Sequence, residues 1–127
     1  MFIINTDGAC FGNPGKMGIG AVIREDGKVL CEISESIGHG TNNIAEYTAV
    51  IRALEEAKKL GVMKAELRSD SLLVIKQLRM EYKVNEPHLR ELRRKAFKTA
   101  EGMVIVYKHV PREENEAADE LSKRALG

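Results

Sequence analysis

Two cysteines, Cys10 and Cys31, are all that this 127-residue chain offers for covalent bracing. They are too few for a disulfide scaffold and do not form a C-x-x-C pair, so free thiols in a reducing compartment are expected. Charge of one sign is also missing. The net charge is +1, which gives the molecule as a whole no strong field for a polyanion. No apolar run approaches membrane-spanning length, and the first residues do not read as a basic-then-apolar leader. Internal repeats, low-complexity tracts and linkers are absent too. These absences point to a cytoplasmic protein without a membrane partner. Its length suits one domain over residues 1–127, with a hydrophobic core that needs no staples.

What is present falls into a clear order of elements. Residues 2–7 read as a buried strand. A second apolar strand runs from Met17 to Ile23, and Glu25-Asp26-Gly27 supplies a hairpin turn. A third strand, Val29 to Ile37, alternates Val29, Cys31 and Ile33 with Lys28, Glu32 and Ser34. Thr41-Asn42-Asn43 carries N-cap chemistry for a helix that reaches about Leu60 and closes on Gly61. The helix has apolar positions at Ile44, Tyr47, Val50, Ile51, Leu54 and Ala57. Ala45, Ala49 and Ala53 form a small-residue row that would let it approach a sheet closely. A strand from Met63 to Arg68, helices over Ser71–Met80 and Pro87–Ala100, a strand from Met103 to Lys108 and a helix from Glu114 to Ala125 complete the chain. The order β-β-β-α-β-α-α-β-α implies an α/β fold: a five-stranded mixed sheet, three antiparallel strands then two parallel ones, flanked by helices.

Four acids recur at the junctions of these elements. Asp7 closes the first strand and Asp70 follows the fourth. Glu46 lies early in the first long helix, and Asp119 one turn inside the last. In open sheets, ligands gather beyond the carboxyl ends of the strands, so this topology permits one cluster. Each acid also has an ordinary explanation. Asp7 before Gly8 makes a turn pair. Glu46 favours a helix N-terminus, Asp70 could cap the following helix, and Asp119 could sit on a solvated helix face beside Glu116 and Glu120. A converging set of carboxylates would instead suit a hard cation.

The blocks around the acids decide between these readings. They are Thr6-Asp7-Gly8-Ala9-Cys10-x-Gly12-Asn13-Pro14-Gly15, Thr41-Asn42-Asn43-x-x-Glu46, Ser69-Asp70-Ser71 and Glu114-Asn115-x-x-x-Asp119-x-Leu121. In this order they resemble the four signature blocks of type 1 ribonuclease H, over nearly the whole chain. The resemblance implies a ribonuclease H-like fold. It implies Asp7, Glu46, Asp70 and Asp119 as metal-binding catalytic acids, with Asp7 bridging two Mg²⁺ ions and Mn²⁺ as an alternative. The activity implied is endonucleolytic hydrolysis of the RNA strand of RNA–DNA hybrids, leaving 5′-phosphate and 3′-hydroxyl ends. The expected partner is the hybrid, with double-stranded RNA as a further candidate, and the expected state is a monomer.

The resemblance also assigns substrate contacts. Asn13, Asn42 and Asn43 match positions that read the hybrid through the minor groove, where amides can both donate and accept. Gly8, Gly12 and Gly15 would let the backbone come close to a ligand. Thr41 resembles a phosphate-binding position and Cys10 one near the DNA strand. Counted back from Asp119, His109 falls where the family carries a histidine concerned with proton movement or product release; here Val110-Pro111 follows it instead of a glycine-rich loop. Leu72 stands where some relatives carry a substrate-contacting glutamine. The stretch Tyr82 to Pro87 is short and the chain has no Trp, so the basic protrusion of longer relatives is missing. Arg90, Arg93, Arg94, Lys95 and Lys98 would either compensate or form a solvated helix face over Leu89, Leu92 and Phe97. Two rival classes fit the same fold: a non-catalytic hybrid-binding module, which an intact acid set argues against, and a nuclease of DNA junctions or transposon ends, which the asparagines argue against.

Overall fold

The computed structural model describes residues 1–127. Its strands are β1 (Phe2–Gly12), β2 (Gly15–Glu25), β3 (Lys28–Gly40), β4 (Lys64–Ser69) and β5 (Val104–His109). Its helices are α1 (Asn42–Lys59), α2 (Leu72–Leu78), α3 (Pro87–Thr99) and α4 (Glu116–Arg124), the last preceded by a 3₁₀ turn at Arg112–Glu114. The sheet order is β3-β2-β1-β4-β5, with β1–β2 and β2–β3 antiparallel and β1–β4 and β4–β5 parallel. The mixed sheet expected from the order of elements is therefore present. No helix is long and apolar enough to cross a membrane.

The main difference from the sequence reading concerns β1. It does not close at Asp7 but continues to Gly12, paired with β2 down to Gly12↔Gly15. What ends near Asp7 is the pairing on the other side: β4 follows β1 only from Phe2↔Ala65 to Asn5↔Arg68. Continuing that register by two residues brings Asp70 level with Asp7. The site thus opens where β4 leaves a strand that runs on. The second difference is at the C-terminus, where the helix expected from Glu114 is split. Arg112–Glu114 forms the 3₁₀ turn, and α4 starts at Glu116.

Alternation along β1 distributes its side chains between two helical layers. Ile4 packs into the main core with Tyr47, Val50 and Leu54 of α1 and Leu67 of β4. On the opposite face, Asn5 and Asp7 meet the α4 layer. Both helices come in without a side-chain spacer. A Cβ on Gly8 would lie 2.4 Å from the Ala45 carbonyl carbon, and one on Gly20 would lie 2.3 Å from the Ala118 carbonyl oxygen. The alanine row of α1 is buried, as its spacing suggested.

One cap and one turn behave as the sequence implies. The Thr41 hydroxyl accepts from Ile44 N at 3.3 Å, and Asp26-Gly27 turns with φ of 50° and 85°. The cap of α2 is Ser71, whose hydroxyl accepts from Val74 N at 3.3 Å, so Asp70 is not engaged as a helix cap.

The start of α4 is fixed by Asn115, which is almost fully buried. Its Nδ2 donates to the Thr6 carbonyl at 2.9 Å, and its Oδ1 accepts from Asn5 Nδ2 at 3.0 Å. These two bonds join β1 to the helix that carries Asp119. Asn115→Ala strands a buried donor and a buried carbonyl, and we expect it to lower the unfolding free energy by about 3 kcal/mol. A urea denaturation curve checks this; a loss below about 1 kcal/mol would mean that water replaces the amide freely.

Candidate active site

Three carboxylates meet where β4 leaves β1. Asp7, Glu46 and Asp70 each present an oxygen, and these oxygens all lie within 4.8 Å of one another. They come from a strand, a helix and a strand end, more than twenty residues apart in sequence. Asp7 is 5% exposed. Glu46 hangs from α1 across the gap left by Gly8, and its Oε1 accepts from Gly8 N at 2.8 Å.

The electrostatics are those of crowded anions. Burial, then the charges of Asp70 and Asp119 and a hydrogen bond shared with the Asp119 carboxyl, push Asp7 up to about 8. A hydrogen bond from Ser122 pulls the other way. Burial, with the charges of Asp7 and Asp70, holds Glu46 well above the usual carboxylate range, against the pull of the Gly8 N–H. Three partly buried carboxylates this close repel one another, and a cation would offset that cost.

Asp119 stands slightly apart. It borders the cluster, and its charge raises both Asp7 and Glu46. Yet it is not one of the three whose oxygens converge. Burial tends to raise its carboxyl, but the hydrogen bond from Lys123, the one shared with Asp7 and the charges of Lys123 and Arg112 hold it below the ordinary value. Lys123 Nζ lies 3.0 Å from Oδ2 and Arg112 Nη2 3.9 Å from Oδ1. Asp7 and Asp119 therefore shift in opposite directions for one reason: the first faces carboxylates and the second faces cations.

The donor set suits a hard divalent cation. Only oxygens converge, and no thiol or imidazole is among them. Cys10 points away, its Sγ 3.2 Å from the Gly40 carbonyl. A metal would be held by Asp7, Glu46 and Asp70, with Asp119 bordering the group.

Most of the expected substrate residues gather around the β1–β2 turn and the start of α1. Asn13, in the turn between β1 and β2, accepts through Oδ1 from Asn42 N at 3.2 Å. Cys10, Thr41 and Asn43 flank that contact at the β1 end and the start of α1. The N–H of Gly8 is engaged by Glu46, so what Gly8 contributes is space and a hold on Glu46, not a free donor. His109 ends β5 opposite Ser69, is exposed, and lies one strand beyond Asp70. Leu72 is exposed at the start of α2. In the basic stretch of α3, Leu89 is core and Leu92 and Phe97 pack against it. Arg93 donates to the Gln77 carbonyl at 3.3 Å and lies over the Phe97 ring, while Arg94 pairs with Glu91.

Two participants were not foreseen. Ser122, fully buried on α4, lies 3.1 Å from Asp7 Oδ2, and Asn115 fixes that helix. A serine in the middle of a helix carries no local signal of either kind. Asn115 was legible only as part of a motif block.

A five-stranded mixed sheet with carboxylates gathered where its central strands diverge defines a ribonuclease H-like protein whose acids could hold a metal ion. The chain matches the family model described as "Reverse transcriptase-like" over residues 5–125. It belongs to the type 1 ribonuclease H family. Ribonuclease HI of Halobacterium salinarum is 45% identical over 122 residues, covering 94% of this chain and 61% of that protein. A bifunctional protein of Mycobacterium tuberculosis is 40% identical over 127 residues, which are 35% of its length. The chain thus spans between about a third and three-fifths of these curated relatives. Among solved structures, LC11-RNase H1 in complex with an RNA/DNA hybrid superposes with a TM-score of 0.94 at 44% identity, covering 99% of this chain and 96% of that one.

Proposed function

We propose that this protein is a divalent-metal-dependent endoribonuclease that cuts the RNA strand of RNA–DNA hybrids, leaving 5′-phosphate and 3′-hydroxyl ends. The observation that carries the reading is the meeting of Asp7, Glu46 and Asp70 within 4.8 Å. It stands in a chain similar throughout to a ribonuclease captured on a hybrid. Mg²⁺ is the expected ion, with Mn²⁺ as an alternative. Two such ions, when bound, would polarise the phosphodiester and lower the pKa of an attacking water.

The chain's own residues supply the rest. Asp7 and Glu46 are fixed before substrate arrives, the first by Ser122 and the second by Gly8 N. Preorganisation of this kind removes the need to reorder the site during reaction. Thr41 accepts the helix N–H on its oxygen and keeps its own proton to donate to a backbone phosphate. Asn13 and Asn42 are already joined, which presents their remaining amide groups together to a minor groove. The 2′-hydroxyl is the feature by which these amides would tell an RNA strand from DNA. His109 is assigned to proton exchange at the edge of the site.

The test is cleavage of an end-labelled hybrid with Mg²⁺ and with Mn²⁺, beside an all-DNA duplex and double-stranded RNA. We expect the RNA strand of the hybrid to be cut and the all-DNA duplex to remain intact. Asp70→Asn should lower the rate by at least about a hundredfold, since it removes one of three converging ligands. A wild-type protein inert on hybrid with both ions, or an Asp70→Asn variant as active as wild type, overturns the reading. Tight hybrid binding without cleavage would identify a binding module instead.

A further inference from the structure

The core-facing side of α4 presents Ala118, Leu121 and Ser122, all buried. Two of these are the apolar residues such a face calls for; the third is polar and fully inaccessible to solvent. A buried hydroxyl is unfavourable unless it is hydrogen-bonded. The Ser122 backbone lies directly against β2. A Cβ on Gly20 would lie 2.5 Å from Ser122 N, and one on Gly18 would lie 2.5 Å from Ser122 O. From this close approach the hydroxyl reaches Asp7 of β1.

Its Oγ has two acceptors in reach and one proton. The Asp119 carbonyl lies at 2.7 Å, within the same helix, and Asp7 Oδ2 lies at 3.1 Å. Bonding back to the carbonyl is a common local habit of serine in helices. Bonding to Asp7 spans 115 residues of sequence and reaches an ionisable carboxylate, the stronger acceptor when charged.

We propose that Ser122 is a positioning residue of the metal site: it donates to Asp7 Oδ2 and holds that carboxylate turned toward Glu46 and Asp70. The inference rests on the metal-dependent reading above and deepens it. Asp7 sits on the face of β1 that α4 covers, whereas Glu46 comes from the helix on the other face. Without the Ser122 hydroxyl, Asp7 Oδ2 loses its neutral donor on α4, and what remains beside it on that helix is the Asp119 carboxyl. Partners that orient metal-ligating groups in this way typically change metal affinity by about 10- to 100-fold when removed.

The test is titration of substrate-free protein with Mn²⁺ by calorimetry, together with thermal melting in EDTA. Ser122→Ala removes the hydroxyl. Ser122→Cys keeps the volume closer to that of serine but leaves only a weak donor. We expect both variants to bind Mn²⁺ about tenfold more weakly than wild type while still melting cooperatively. A hydroxyl that only bonds back to its own helix gives a different result: lower melting temperature in EDTA with wild-type Mn²⁺ affinity, which overturns the proposal. If Ser122→Ala does not fold, Ser122→Cys decides in the same terms. Wild-type protein that binds no Mn²⁺ removes the metal site itself and this proposal with it, an outcome separate from normal binding by wild type and variants alike.

Discussion

Asp7→Asn should abolish hybrid cleavage and, in the absence of metal, make the protein more stable at neutral pH. The two effects have one origin. Asp7 lies between Glu46, Asp70 and Asp119 and is almost entirely buried. Its negative charge is what a cation would bind, and without a cation the same charge is a liability. An amide keeps the shape of the side chain and can still accept from Ser122. It removes the charge and a principal ligand oxygen. We expect a rate loss of about a thousandfold or more, equivalent to roughly 4 kcal/mol of transition-state stabilisation.

The stability half follows from linkage. Asp7 is raised to about 8 in the folded protein from an ordinary value of 3.8. Between those values the folded state holds a proton that the unfolded chain has lost. Stability therefore falls as pH rises through that window; the favourable contribution is complete below pH 3.8 and gone above about 8. Glu46, also raised, adds a slope of the same sign. Denaturation of wild type in EDTA at pH 5 and pH 8 should show the decline, and saturating Mg²⁺ should offset it at pH 8. In Asp7→Asn the slope should be shallower, with a gain on the order of 2 kcal/mol near pH 8 over metal-free wild type. A variant no more stable than wild type in EDTA at pH 8 would mean that the acids do not repel one another as their burial implies.

The acids themselves were legible in the sequence, because each sits in a block whose spacing is distinctive. Their arrangement was only partly so. Asp7-Gly8 looks like a strand end because Asp and Gly are poor strand formers and an ordinary turn pair. The structure uses both inside a strand. Asp7 is interior because α4 lies over it, and Gly8 because α1 lies against it; both facts depend on elements more than thirty residues away. The 3₁₀ turn before α4 was missed for a similar reason. Arg112 to Asn115 has helical composition, but Asn115 turns its side chain to Thr6 and Asn5, and the regular helix begins after it. The split of roles among the acids was not legible at all. Nothing in the order of Asp119 and Lys123 distinguishes a ligand from half of an ordinary i,i+4 ion pair, and here the ion pair is formed while Asp119 stays outside the converging three. The hairpin at Asp26-Gly27, the cap at Thr41 and the buried alanines of α1 needed only local chemistry and read directly, whereas the cap of α2 is Ser71 where Asp70 was the candidate.

Gly8→Ala carries the second large effect, and it tests how the site is built more than what it binds. The added methyl would meet the Ala45 carbonyl carbon at 2.4 Å, Glu46 N at 2.5 Å and the Ala45 oxygen at 2.7 Å. All three are backbone atoms of α1, so no rotamer change relieves the contact and the helix must move off the sheet by about 1 Å. Overpacking of this kind typically costs about 1–3 kcal/mol. Here it also strains the bond from Gly8 N to Glu46 and draws Glu46 away from Asp7 and Asp70. Displacements of about 1 Å at a reacting centre can lower rates by about a hundredfold. Gly102→Ala is the matched comparison. Gly102 has φ of +83° with nothing within 4 Å of an added Cβ, so its substitution strains the backbone without a clash. We expect that variant to lose about 1–2 kcal/mol and to keep wild-type cleavage and Mn²⁺ affinity. Gly8→Ala should lose both, even at temperatures where it remains folded. If it melts lower but still binds Mn²⁺ and cleaves hybrid as wild type does, the close approach of α1 serves packing alone, and Glu46 reaches the cluster without it.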